Sequence, residues 1–263
     1  MQMVQHEVPA HKIERIFISH LHGDHYLGLM GLLFSMHLNK RTNELHIHAP
    51  KGLDEIIVLQ LKHSKSSLNY PIHFHVTNPT VISTLWENES ISVQSIPLRH
   101  KIVCNGFLFR EKQKPRKIDK NKLVDGMLLQ HIALLKTGQD VKDNQGNILY
   151  RNEDFTLPPR TSYAYAYCSD TAPNLEMIEQ IRGVDLLYHE STFMETEKDK
   201  ARETLHSTAK EAAEIAQSAQ VKKLILGHFS ARYRELNDLL AEARSIFSET
   251  ELACEGTTFQ LEA

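Results

Sequence analysis

His20-Leu21-His22-Gly23-Asp24-His25 places four potential metal ligands within six residues of a 263-residue chain. Upstream, Ile13-Glu14-Arg15-Ile16-Phe17-Ile18-Ser19 reads as a short buried strand. Downstream, Leu27 to Leu38 has the apolar content and length of a helix. The hexapeptide therefore stands where a strand gives way to a helix. Clustered imidazoles and a carboxylate burden an apolar core unless something binds them. At a strand end, His20 and His22 project to the same side, and a turn at Gly23 lets Asp24 and His25 point at a neighbouring position. Two different pairs of ligands imply two adjacent metals, and zinc suits imidazole and carboxylate alike.

Six residues cannot saturate two metals, so partners must come from elsewhere. His100 follows Ile96-Pro97-Leu98-Arg99, Asp170 stands in Cys168-Ser169-Asp170-Thr171, and His228 follows Leu224-Ile225-Leu226-Gly227. Each comes just after a short apolar strand. Ligands at strand ends on one edge of a layered sheet converge on one site. Asp170, with two oxygens, is the natural bridge between metals roughly 3.5–4 Å apart. His46 and His48 alternate along a strand, and His73 and His75 do the same. Isolated alternating pairs more often pack or face solvent, so they stay outside the site.

The rest of the chain alternates strand-like with helix-like patterns, the mark of an α/β layered architecture. Leu45 to His48, Ile91 to Leu98, Phe107 to Phe109, Ser162 to Tyr167, Leu186 to Tyr188 and Lys223 to Leu226 read as strands. Leu53 to Lys62 and Thr208 to Ala219 read as helices. One segment departs from this. From Arg110 to Arg160 the chain is polar, and Arg110, Lys112, Lys114, Arg116, Lys117, Lys120 and Lys122 face only Glu111 and Asp119. Such an excursion between strands is either functional or a solvated loop.

Composition bounds the function. Hydrophobic residues make up 41% and charged residues 24%, so the chain is globular rather than disordered. A net charge of −3 confines any nucleic-acid binding to a local patch. Leu27 to Phe34, the longest strongly apolar stretch, is too short for a bilayer, and Met1 to Glu7 shows no signal peptide. Three scattered cysteines favour a reducing compartment, hence a cytoplasmic protein without membrane partners. The compositional outlier is histidine, with 16 residues against a single Trp.

The series His20-x-His22-x-Asp24-His25, His100, Asp170 and His228 resembles the metal ligands of the metallo-β-lactamase superfamily. More narrowly, His189-Glu190-Ser191-Thr192, His206-Ser207-Thr208-Ala209 and Gly227-His228-Phe229-Ser230-Ala231-Arg232-Tyr233 resemble ribonuclease Z, the endonuclease that matures tRNA 3′ ends. The resemblance runs from about Ile13 to the C-terminus. It implies an α/β fold, the four-layer αββα metallo-β-lactamase sandwich, as a single domain over 1–263 with an inserted tRNA-binding arm at 110–160. It also implies two zinc ions per chain, precursor tRNA as substrate and a homodimer in which the arm of one subunit holds RNA cut by the other. The arm here has no Gly-Pro motif. Only nineteen residues precede the hexapeptide, where family members carry several strands, so the chain reads as N-terminally shortened.

By this resemblance one zinc takes His20, His22, His100 and bridging Asp170, and the other takes Asp24, His25, Asp170 and His228. Asp24 would also orient or deprotonate the attacking water. His206 would protonate the leaving oxygen, held and aimed by Glu190, although Ser207 or Thr208 could make this merely a helix start. Arg232 reads as a phosphate clamp and Tyr233 as a base-stacking or hydrogen-bonding partner, against a surface arginine and a core tyrosine. Lys114, Arg116 and Lys117 would grip the RNA backbone. Two other readings compete: another phosphodiesterase, thioester hydrolase or β-lactamase of the superfamily, and an inactive shortened module that binds RNA or zinc.

Overall fold

A computed structural model describes residues 2–261. The chain opens with α1 (Gln2–Gln5) and enters β1 (Arg15–Phe17), α2 (Gly23–Leu38), β2 (Leu45–Ala49), α3 (Leu53–His63) and β3 (Ile72–Val76). The three strands form one parallel sheet in the order β1-β2-β3. Apolar residues of α2 and α3, among them Leu29, Leu33, Met36, Leu53 and Ile57, close over Ile18, Leu45 and Ile47. That pattern is what a helix covering one face of a sheet requires.

The second sheet begins with β4 (Thr84–Glu87), β5 (Ile91–Pro97) and β6 (Asn105–Glu111) and is completed by β11 (Ala164–Cys168), β12 (Leu186–Glu190), β13 (Leu224–Gly227) and β14 (Thr250–Leu252). Its seven strands run β14-β13-β12-β11-β6-β5-β4. On its outer face lie α7 (Ala209–Ser218) and α8 (Asn237–Arg244), preceded by the short α6 (Lys198–Thr204). Ala212, Ala213, Ala216 and Leu239 meet Ala166, Leu187, Leu224 and Leu226 there. Alanines on α7 let the helix approach closely, and a capping box between Thr208 and Glu211 starts it. Between the sheets, the Phe17 ring rests 5.3 Å from Phe107 and 5.6 Å from Phe109, and the Arg15 guanidinium lies 4.6 Å over Trp86. The layers are thus helix, sheet, sheet, helix. This is the expected four-layer sandwich.

Between β6 and β11 the chain leaves the sheet at Glu111 and re-enters it at Ala164, which pairs with Arg110. The excursion is folded. It holds two small antiparallel pairs, β7 (Lys117–Ile118) with β10 (Thr156–Leu157) and β8 (Val141–Lys142) with β9 (Ile148–Tyr150), plus α4 (Leu129–Lys136) and α5 (Asn152–Phe155). Leu135 and Val141 are buried, and the Asn152 side chain donates to the Leu135 carbonyl. A solvated loop would have no such interior.

Two local differences matter. Gly23 is not a turn between two directions but the first residue of α2, with His22 as N-cap. Asp24 and His25 therefore diverge from His20 and His22 by helical geometry, and Asp24 gains from the positive helix end. The strands β4 and β14 and the helix α8 are further elements that the apolar patterning does not announce.

Strand register behind the site is tight at Gly106, where an added Cβ would lie 2.5 Å from the Tyr167 carbonyl oxygen. Gly106→Ala is expected to lower stability by ~1–3 kcal/mol through overpacking, read from the denaturant midpoint. An unchanged midpoint would contradict that close approach.

Candidate metal centre

Four strand ends deliver side chains to one edge of the sandwich. His20 follows β1, His100 follows β5, Asp170 follows β11 and His228 follows β13, where it adopts a left-handed backbone (φ +57°). Loop cross-links fix these ends against one another. The Asn105 N–H donates to the Ser19 carbonyl, joining the two sheets beside His20. The Arg99 N–H donates to Thr171 Oγ1, the Ala172 N–H returns to the Arg99 carbonyl, and Ser207 Oγ donates to the Thr171 carbonyl.

The result is two ligand groups that share a carboxylate. In one, His20 Nε2 lies 3.1 Å and His100 Nε2 lies 3.2 Å from His22 Nδ1, while Asp170 Oδ2 sits 3.6 Å from His20 and 3.7 Å from His100. In the other, Asp170 Oδ1 sits 3.4 Å from His25 Nε2 and 3.3 Å from His228 Nε2, with Asp24 Oδ2 3.3 Å from His25. Within each group, {His20, His22, His100, Asp170} and {Asp24, His25, His228}, one donor atom per residue falls within 4.8 Å of the others.

Hydrogen bonds behind the rings leave the inward nitrogens free to bind a cation. His100 Nδ1 donates to the Leu205 carbonyl at 3.1 Å, so its Nε2 carries the lone pair. His20 Nδ1 meets Ser19 Oγ at 3.0 Å, and His228 Nδ1 meets Thr192 Oγ1 at 2.8 Å. Such contacts set tautomer and ring orientation at metal sites. Burial, reinforced by the neighbouring His25, holds His20 well below the ordinary imidazole range. Burial lowers His100 as well. For Asp170, burial opposes the charge, but His228, His25 and His20 prevail and keep it below the usual carboxylate value. His20 and His100 pushed toward the neutral form, beside an Asp170 pushed toward the ionised form, are what a cation needs. The side chain of Asp24 is 70% exposed, so the second group opens to solvent.

Beside these groups, His206 Nδ1 lies 2.7 Å from Glu190 Oε1. Glu190 is wholly buried and saturated, accepting from the Thr171 N–H at 2.7 Å, the Thr192 N–H at 3.2 Å and Thr192 Oγ1 at 2.6 Å. Burial works against a charged His206, but the Glu190 hydrogen bond outweighs it and raises the histidine above its ordinary value. His206 also comes within 4.8 Å of Asp170 and His228. An imidazolium cannot ligate a metal, so the Glu190 contact favours a proton-carrying role.

No protein-family model matches the chain. It is 46% identical over 237 residues to "Ribonuclease Z" of Cytophaga hutchinsonii, covering 90% of this chain and 76% of that protein. It is 44% identical to "Ribonuclease Z" of Bacteroides thetaiotaomicron, covering 97% of this chain and 81% of that one. The chain belongs to the ribonuclease Z family. The fold agrees: the short form of human tRNase Z superposes with a TM-score of 0.69 at 23% identity, covering 99% of this chain and 84% of that structure. A metallo-β-lactamase fold protein from Bacillus subtilis gives 0.63 at 18% identity, covering 97% and 80%.

The remaining candidate residues of this ribonuclease Z family member are not members of the ligand groups. Arg232 donates to Glu197 Oε2 at 2.6 Å and to Ser230 Oγ at 3.1 Å, and lies 5.0 Å over the Phe193 ring. Tyr233 packs on the core and its hydroxyl accepts from the Met194 N–H. In the arm, Lys114 pairs with Glu111 at 2.6 Å and Arg116 donates to Thr156 Oγ1 at 2.7 Å, so both brace the arm itself. Lys117 is exposed. Sequence reasoning gave no role to Thr192, which touches Glu190, His206 and His228 together. Its place in His189-Glu190-Ser191-Thr192 was the available signal.

Glu190→Gln removes the charge that raises His206 and leaves burial in command. The His206 ring should then titrate below the ordinary value of about 6.5 instead of above it, as followed by its proton resonances. A group raised on folding contributes stability below its unfolded pKa and loses it as pH rises through the folded one. The wild type should therefore lose stability relative to the variant as pH rises through the raised His206 value. No change in the His206 titration would contradict the pairing.

Proposed function

We propose that this chain is a metal-dependent endoribonuclease that removes the 3′ trailer from precursor tRNA. The carrying observation is Asp170, whose two oxygens face two separate histidine groups next to the His206–Glu190 pair. In this reading His20, His22, His100 and Asp170 hold one zinc, and Asp24, His25, Asp170 and His228 hold the other. The residues fit: His25 Nε2 is buried with no hydrogen-bond partner, although it sits beside two carboxylates. When bound, the two zinc ions supply a water acidic near pH ~7 and positive charge for the phosphate.

The chain's own residues then move the protons. Asp24 takes one from the attacking water as the new oxygen–phosphorus bond forms. His206, with Nδ1 engaged by Glu190, offers its Nε2 proton to the ribose 3′ oxygen as the old bond breaks. The products are a 3′-hydroxyl on the tRNA and a 5′-phosphate on the trailer. Arg232 clamps phosphate once released from Glu197, and Tyr233 steadies the segment that carries it. The arm at 110–160 grips the RNA backbone away from the cut. Lys117, Lys120 and Lys122 suit this best, since they are exposed and without an ion-pair partner among the described residues. The working form is a homodimer with each arm serving the partner's site. No helix among the described residues is long and apolar enough to cross a membrane, and the three cysteines are unpaired. The proposed location is the cytoplasm.

End-labelled precursor tRNA incubated with the zinc-loaded protein should be cut once, just after the discriminator nucleotide, and Asp24→Ala should abolish the cut. No cut by a protein that carries its zinc would overturn the substrate assignment. His206→Ala should lower the cleavage rate by about 10²–10⁴-fold with metal content unchanged; equal loss of metal would make His206 a ligand instead. Replacing Lys117, Lys120 and Lys122 together by alanine should weaken precursor tRNA binding and flatten its salt dependence. The log–log slope should fall by roughly 0.7–0.9 for each phosphate that is no longer neutralised. Hydrolysis of bis-para-nitrophenyl phosphate should be spared. Equal loss on both substrates would remove the arm from RNA binding.

A further inference from the structure

The segment Glu190 to Phe193 lies between the stretch of chain that carries His206 and the stretch that carries His228. The Ser191 N–H donates to the Gly227 carbonyl and the Ser230 N–H donates to the Thr192 carbonyl, which ties the segment to both sides of His228. The Phe193 N–H donates to the Ser207 carbonyl and the Ala209 N–H to the Phe193 carbonyl, which ties it beside His206. Thr192 is buried in the middle of this strut. The two histidine rings it separates in sequence stack on each other with centroids 5.3 Å apart.

One hydroxyl there serves three neighbours. Thr192 Oγ1 donates to Glu190 Oε2 at 2.6 Å, and it lies 2.8 Å from His228 Nδ1 and 3.3 Å from His206 Nδ1. A hydroxyl has a single proton to give, so once Glu190 takes it only lone pairs face the two rings. His228 must then present an N–H at Nδ1. With that proton in place the neutral ring keeps its lone pair on Nε2, the atom 3.3 Å from Asp170 Oδ1. His206 is under the same constraint. Its Nδ1 proton goes to Glu190 Oε1 at 2.7 Å, with Thr192 Oγ1 as the longer second acceptor.

We propose that Thr192 is a positioning residue for the hydrolysis: its one hydroxyl fixes the tautomer and direction of His228 in one cation group and braces His206 beside it. The inference rests on the two-cation reading of the site. His228 belongs to the group that contains the largely exposed Asp24, so a misdirected His228 ring leaves that group with one well-placed imidazole, His25. In the other group the rings are oriented by different partners, Ser19 behind His20 and the Leu205 carbonyl behind His100. Loss of the Thr192 hydroxyl therefore weakens one cation and spares the other. Serine keeps the hydroxyl and should replace threonine; valine keeps the shape and should not. The ties through the backbone of Ser191, Thr192 and Phe193 do not use the Thr192 side chain, so the strut survives either change.

Zinc titration of the full chain against an aminocarboxylate chelator tests this on the wild type, Thr192→Val and Thr192→Ser. The wild type and Thr192→Ser should hold two zinc ions with matching affinities. Thr192→Val should hold one as tightly as the wild type and the other about 10–100-fold more weakly. Before zinc is added, the Nδ1 proton resonance of His228 should be present in the wild type and in Thr192→Ser and lost in Thr192→Val. Equal affinities in all three proteins, weakening of both ions alike, or a serine variant as impaired as the valine one would overturn the proposal. A wild type that holds fewer than two zinc ions would instead remove the two-cation reading. The resonance then decides the role of Thr192 by itself: loss confined to Thr192→Val upholds it, and persistence in that variant overturns it.

Discussion

Asp170 is a nearly buried carboxylate with four imidazole nitrogens at 3.3–3.7 Å, two on each oxygen. Removing a carboxylate from water is costly, and the rings of His228, His25 and His20 offset it enough to keep Asp170 below the usual carboxylate value. The surrounding structure makes the arrangement tolerable by delivering the rings from separate strand ends and bracing them from behind. Thr171 links the Asp170 loop to Arg99 beside His100, to Glu190 and to Ser207 beside His206. The site is thus one cross-linked rim. A cation on each side of Asp170 would complete it electrostatically, and the sandwich holds the donors in place before any ion arrives. That preorganisation is why a fold with short strands and a modest core serves hydrolysis well.

The proposed proton chemistry uses the same rim, where His206 lies within 4.8 Å of Asp170 and His228. Glu190 engages both oxygens with donors, and Thr192 joins its Oε2 to the ring of His228. His206, pushed toward its charged form, beside His20 and His100, pushed toward the neutral one, places two opposite protonation preferences within one small volume. Burial sets one, and a buried carboxylate sets the other. Pairs of groups pushed apart in this way are how one site holds both a base and an acid near neutral pH.

Much of this was legible from residue types in close succession. His20 to His25 carries its chemistry within one turn of chain, and the apolar runs before His100, Asp170 and His228 marked their strand ends. The Thr208–Glu211 capping box likewise lies within four residues, and the helix it announces is present. What could not be read depends on distant partners. The Leu205 carbonyl that orients His100 comes from 105 residues away. Gly23 looked like a turn because glycine permits one, whereas the helix that follows makes it an N-terminal residue. The arm's polar composition concealed a small interior around Leu135 and Asn152. The register of β2 against β3 turned two unremarkable histidine pairs into one column, and no local pattern announces a register that pairs residues 27 positions apart.

In the proposed site Asp170 bridges two cations held by the flanking histidines. Anomalous diffraction at the zinc edge from zinc-loaded crystals tests it most directly. Two peaks are expected roughly 3.5–4 Å apart, one beside His20, His22 and His100 and the other beside Asp24, His25 and His228, with Asp170 between them. A single peak, or a pair that leaves Asp170 uncoordinated, would contradict it.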